Sequence, residues 1–155
     1  MGIMKQEKLL EQKIGLRLSR IGLLSKVFAN QTFSKHGFDI RPEQFTVLMT
    51  LKENNGMYQR QLAYYTFKDR PNITRIVSIL EKKGYITSQI TSDGRQVKKL
   101  FITPKGIEEC EKILPVILKI WTDTIGDLTG EEVSSFLNTL DKIENNLRER
   151  TLLQI

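Results

Sequence analysis

Asp69-Arg70-Pro71-Asn72-Ile73-Thr74-Arg75-Ile76-Val77-Ser78-Ile79-Leu80-Glu81-Lys82-Lys83-Gly84 is the stretch on which the reading of this chain turns. Ile73, Ile76, Val77 and Leu80 recur at i, i+3, i+4 and i+7. That spacing puts them on one face of a helix and requires the face to be buried. Asp69 suits an N-cap, Pro71 is tolerated in a first turn, and Lys82-Lys83-Gly84 closes the far end with positive charge and a glycine. The pattern predicts a helix over Arg70 to Lys83 whose opposite side carries Asn72, Arg75 and Ser78, flanked by Thr74 and Ile79.

Just upstream, about Tyr58 to Thr66 reads as a short helix with Leu62 and Ala63 turned inward. A short helix, a turn and a second helix with a polar, basic outer face form a helix-turn-helix, whose second helix enters the DNA major groove. Downstream, Tyr85–Ile90 and Val97–Ile102 are β-prone and flank Thr91-Ser92-Asp93-Gly94-Arg95. Asp-Gly between such runs is the strongest short hairpin signal, so a two-stranded wing follows, with Arg95 at its tip and Lys98 and Lys99 on its second strand.

The flanks are helical. Leu10, Ile14, Leu18, Ile21 and Phe28 mark a long amphipathic helix from about Lys5 to Lys35, with His36 near its C-terminus and Gly37 as a left-handed cap. Pro42 opens a helix burying Phe45, Leu48 and Met49 and ending near Asn54-Asn55-Gly56. Thr103-Pro104 starts another, to about Thr124, with Ile107, Cys110, Leu114, Ile117 and Trp121 on one side and a kink expected at Pro115. Thr129-Gly130-Glu131-Glu132 is a capping box ahead of Val133, Phe136, Leu137, Leu140, Ile143 and Leu147.

The fold class is mainly α with a small β-hairpin wing, as one domain over 1–155. A winged helix-turn-helix lobe at 40–103 lies between terminal helical regions, 1–37 and 104–155. These carry wide apolar stripes, and Leu152-Leu153-Gln154-Ile155 stays apolar to the end. One small lobe cannot cover that much apolar surface, so the terminal regions are expected to dimerise the chain.

The charge is unevenly spread. Lys and Arg outnumber Asp and Glu by 24 to 18, and Lys68 to Lys99 alone holds eight positive against three negative residues, five of the six net charges. A basic stripe of this kind is the footprint of a protein that displaces counterions from a polyanion. Cys110 and His36 are the only residues of their types, so a disulfide within the chain and a His/Cys metal cluster are both excluded. Neither a phosphate-binding glycine loop nor a nucleophile elbow occurs, which argues against an enzyme, and no cofactor is implied. The first residues interleave Lys and Glu with apolar residues, unlike a secretion signal, and no stretch is apolar enough to span a bilayer. The expectation is a cytoplasmic protein with no membrane partner.

Gln61-Leu62-Ala63, Asp69-Arg70-Pro71-Asn72-Ile73-Thr74-Arg75 and Leu80-Glu81-Lys82-Lys83-Gly84-Tyr85-Ile86 resemble the recognition region of MarR-type transcriptional regulators. Asp93-Gly94-Arg95 and Leu100-Phe101-Ile102-Thr103-Pro104-Lys105-Gly106 resemble that family's wing and the start of its fifth helix. The resemblance implies a homodimer held by the first, fifth and sixth helices and binding double-stranded DNA at a palindromic operator, most often as a repressor. Arg70, Asn72, Thr74, Arg75, Ser78 and Lys82 would then meet DNA from the recognition helix, and Arg95 and Lys98 from the wing. Asp93 and Gly94 would shape the wing.

Three positions depart from the family pattern: Gly94 replaces the first of two wing arginines, and Tyr58 and Arg41 replace hydroxyl caps. Many members bind small aromatic or lipophilic effectors; Tyr64, Tyr65, Phe67 and Trp121 are aromatic candidates here, with ordinary packing as their commoner role. A redox role for Cys110, known in some relatives, is disfavoured by its neighbours Glu108, Glu109 and Glu111. The rival to a DNA regulator is a winged-helix protein-interaction module, whose recognition face would be acidic or apolar.

Overall fold

The computed structural model describes residues 2–91 and 97–151, and side chains over 10–90 and 97–151. Two compact units emerge, Met1–Asp39 and Ile40–Ile155.

The first unit is helix α1 (Gly2–Lys35) and its cap. Gly37 adopts φ 65°, and the Phe38 N–H donates to Phe33 O at 3.2 Å, closing the helix in a Schellman arrangement. The Phe33 and Phe38 rings meet edge to face at 5.2 Å between centroids. His36 donates from Nδ1 to Thr32 O at 2.9 Å, a structural role.

In the second unit the elements are α2 (Pro42–Glu53), β1 (Met57–Tyr58), α3 (Gln59–Tyr65), α4 (Arg70–Lys82), β2 (Ile86–Thr91), β3 (Val97–Ile102), α5 (Pro104–Ile125) and α6 (Gly130–Arg150). Ile73, Ile76, Val77 and Leu80 of α4 are buried to within 1% of full burial, together with Leu48, Leu51, Leu62 and Leu100. Asp69 caps α4 by accepting from the Asn72 N–H at 2.8 Å. The helices begun by Arg41 and Tyr58 have no hydroxyl cap. Instead Gln44 and Gln61, three residues in, reach back and accept from the Arg41 and Tyr58 N–H groups, each at 3.0 Å.

The sheet differs from the expected two-stranded wing. Strand β3 pairs with β2 from Ile86 opposite Ile102 to Thr91 opposite Val97, and on its other edge with β1, Met57 opposite Leu100 and Tyr58 opposite Lys99. The order β1-β3-β2 places β3 at the centre. Two residues are too few to show an alternating pattern, so β1 left no signal in the sequence.

Burial also corrects two helix faces. In α2 the buried apolar residues are Phe45, Val47, Leu48 and Leu51, with Met49 half-buried. In α5 they are Cys110, Ile113 and Ile120, while Ile107, Leu114 and Ile117 are half-buried and Trp121 is 52% exposed. Helix α5 continues through Pro115. Thr103 caps it, accepting at Oγ1 from the Gly106 N–H at 3.1 Å. The Thr129–Glu132 capping box is present at α6.

Gly106 is where α5 comes closest to the strand region. A β-carbon there would overlap the Tyr85 carbonyl oxygen and come within 2.8 Å of Ile102. Backbone oxygen cannot swing aside as a side chain can, so the start of α5 would have to move. Gly106→Ala is therefore expected to lower stability by about 1–3 kcal/mol, read as a lower urea midpoint at unchanged slope. An unchanged midpoint would mean the contact is not tight.

Candidate nucleic-acid interface

With its apolar face buried, α4 turns Arg70, Thr74, Arg75 and Lys82 to solvent, and Asn72 and Ser78 are half-buried beside them. The buried stripe fixes the rotation of the helix, so this set forms a single outward surface. Arg75 does not stand alone on it. Its Nη2 donates to Glu43 Oε1 of α2 and to Asn72 Oδ1, both at 3.0 Å. Thr74 Oγ1 donates to Arg70 O at 2.8 Å and accepts from Gln59 Nε2 of α3 at 2.9 Å. The outer face of α4 is thereby tied to both preceding helices.

Lys98, on the second strand of the wing as expected, has an acidic partner within the fold. Its Nζ lies 2.7 Å from Glu81 Oε2, joining β3 to α4. Burial raises the Glu81 carboxyl pKa, but hydrogen bonds from Lys98 and Ser88 outweigh it and hold the group below the usual carboxylate range. Lys99 instead lies near the rings of Tyr58 and Phe101, at 5.9 and 5.8 Å from the centroids. Asp93, Gly94 and Arg95, the expected wing-shaping and wing-tip residues, lie outside the described residues. Glu43 and Gln59 went unnoticed in the sequence, because no local spacing links positions 32 and 15 residues away from their partners.

Residues 40–97 match the sequence profile of the MarR family. An HTH-type transcriptional regulator of Bacillus cereus is 28% identical over 142 residues, covering 91% of this chain and 93% of its own. Over the central stretch 40–97 the chain is similar to the MarR family. The curated proteins it resembles, from Bacillus cereus to Bacillus subtilis, are named HTH-type transcriptional regulators. Solved structures share the fold. A MarR variant from E. coli complexed with operator DNA gives a TM-score of 0.76 at 20% identity, covering 84% of this chain and 93% of that one. The PcaV regulator of Streptomyces coelicolor in complex with its natural ligand gives 0.75 at 19% identity, covering 84% and 91%.

The turn of the helix-turn-helix has an unusual residue. Lys68 N–H donates to Ala63 O at 3.0 Å, a helix-closing bond that places Phe67 at φ 50°, a conformation usually taken by glycine. Phe67 is 53% exposed, and the Arg148 guanidinium of α6 sits 4.7 Å from its ring centroid. Tyr64 and Tyr65 are also exposed, with rings edge to face, and line an open depression with Arg60 and Gln61.

Cys110 is fully buried. Burial pushes its thiol up from 9.0 to about 11, against the pull of Lys52 and with help from Glu109 and Glu111. Between pH 9 and 11 the unfolded chain loses this proton while the folded chain keeps it, so folding stability falls with rising pH in that window and is unaffected below it. The fall amounts to about 2 kcal/mol. Urea titrations across this range should show that extra slope in the wild type and not in Cys110→Ala. Equal slopes would place the thiol in a wetter setting.

Proposed function

We propose that the chain acts as a homodimer on a palindromic operator in double-stranded DNA, repressing transcription, with α4 in the major groove and the wing against the adjacent minor groove. The observation that carries this reading is the outward face of α4, where Arg70, Asn72, Arg75 and Lys82 gather on a helix whose rotation the core fixes. Arg can bond guanine O6 and N7, Asn can bond adenine N6 and N7, and Thr74, Ser78 and Lys82 suit base edges or phosphates. Arg95 at the wing tip suits the narrow groove of A·T-rich DNA, and Lys98 adds charge at its stem. In this reading 40–103 is the DNA-binding lobe, and half-sites lie roughly 34–36 Å apart.

The apolar surface left in water by one chain supports the dimer. On α1, Leu10, Ile14, Ile21 and Leu24 are more than half exposed, and on α6 so are Phe136, Leu137 and Leu147. No described residue of α6 is buried. Exposed stripes of this size favour a symmetric partner, with 1–37 and 104–155 supplying the dimerisation helices. Release by a small aromatic or lipophilic effector is part of the proposal; PcaV, which shares the fold, has been solved in complex with its natural ligand.

Selection from random duplexes at two salt concentrations tests the DNA reading. Wild type should enrich a palindrome with a steep salt dependence. Arg75→Ala should cost about 1–3 kcal/mol and relax one position, whereas Lys82→Ala should weaken all sequences alike and lower the salt slope by about 1. No palindrome, with both variants binding as wild type does, would leave a partner-binding module instead.

Sedimentation tests the dimer separately. Wild type should run at twice the 18.0 kDa chain mass, and Leu147→Asp should shift it toward the monomer and weaken operator binding. A monomeric wild type would sink the palindrome argument.

A further inference from the structure

We infer that Glu43, on α2 and outside the recognition helix, is a positioning residue for base readout: it holds Arg75, and through Arg75 Asn72, in the pose in which they meet DNA. The inference rests on the proposed reading of α4 as the helix that enters the groove.

A carboxylate at this place needs an explanation. Glu43 sits in the first turn of α2, where its charge favours the helix dipole, and that role alone asks nothing of Arg75. Yet its side chain is three-quarters buried and directed at α4, with Oε1 at 3.0 Å from Arg75 Nη2. Facing a polyanion, an uncompensated carboxylate would be repelled, and Arg75 is the cation that compensates it.

The same Nη2 donates to Asn72 Oδ1. One nitrogen therefore carries both tethers, and the remaining guanidinium donors have no partner among the described residues. They are left to form a two-pronged contact with a base. With its oxygen engaged by Arg75, the Asn72 amide still has its NH2 group as a donor to an acceptor on DNA.

The gain is in preorganisation. Arg75 has a 53% exposed side chain, and a free arginine would have to give up many rotamers on binding. An arginine already held gives up fewer at the base pair it matches, and it cannot freely swing to the phosphates that any sequence offers. Tethering therefore sharpens selectivity more than it raises affinity.

The test compares operator against scrambled duplex for wild type, Glu43→Ala, Glu43→Gln, Arg75→Ala and the Glu43→Ala/Arg75→Ala double variant, each with its thermal midpoint. Glu43→Ala should lose at least about threefold in the ratio of operator to scrambled affinity, mostly by binding scrambled DNA better once Arg75 is released to reach phosphates. Glu43→Gln keeps an acceptor at the same reach and should stay within about twofold of wild-type selectivity, well below the coupling expected for a broken contact. In the Arg75→Ala background, Glu43→Ala should change selectivity no further.

Wild-type selectivity in Glu43→Ala would overturn the inference. So would a loss of the same size with Arg75 already removed, because Glu43 would then act through the start of α2. Should Glu43→Ala unfold early, Glu43→Gln decides alone, since a Gln variant as unselective as Arg75→Ala contradicts the tether. A wild type that prefers no duplex at all is a different result, and it removes the DNA reading of α4 itself.

Discussion

The burial of Ile73, Ile76, Val77 and Leu80 is the constraint on which the rest depends. A helix has one rotation about its axis, and once four side chains are committed to the core no freedom remains to choose what faces outward. Transfer of four such side chains from water stabilises the fold by about 1.5–3 kcal/mol each, far more than any single exposed ion pair at the helix surface contributes. The polar face is thus presented as a consequence of packing. The Asp69 cap sets where the helix begins, and the Lys98–Glu81 bridge holds the stem of the wing against it.

Much of this was legible in the sequence, because the signals were local. The stripe and caps of α4, the β-prone runs that pair as β2 and β3, the cap at Thr103 and the capping box at Thr129 are all specified by residues within a few positions of one another. Strand β1 escaped notice because two residues carry no period. The buried face of α5 was displaced toward Ile117 and Trp121, since a helix with apolar residues on several sides leaves the choice of face to tertiary contacts. The family resemblance likewise covered the strong local motifs, and the profile match falls on the same region, 40–97.

The candidate site was legible as a list of residue types and not as an arrangement. Arg75, Asn72 and Thr74 stand out in the recognition region, but their ties to Glu43 and Gln59 cross between helices. Lys98 looked like one more cation, and only folding brings it to Glu81. A net charge counts such a lysine in full, whereas the field felt by an approaching anion is reduced by the carboxylate beside it. The basic stripe of the sequence is therefore more patterned as a surface than its composition conveys.

Strand β3 is shared. Its ladder with β2 builds the stem of the wing, and its ladder with β1 reaches the residue that opens α3, with Asn55 Oδ1 accepting from the Ile102 N–H at 3.0 Å as a further tie. The stem cannot swing away from the helix pair without breaking its ladder with β1 and the Asn55 tie. In the proposed docking, the wing stem and α4 therefore reach the two grooves as one rigid piece, and their contacts with a duplex would be made and released together.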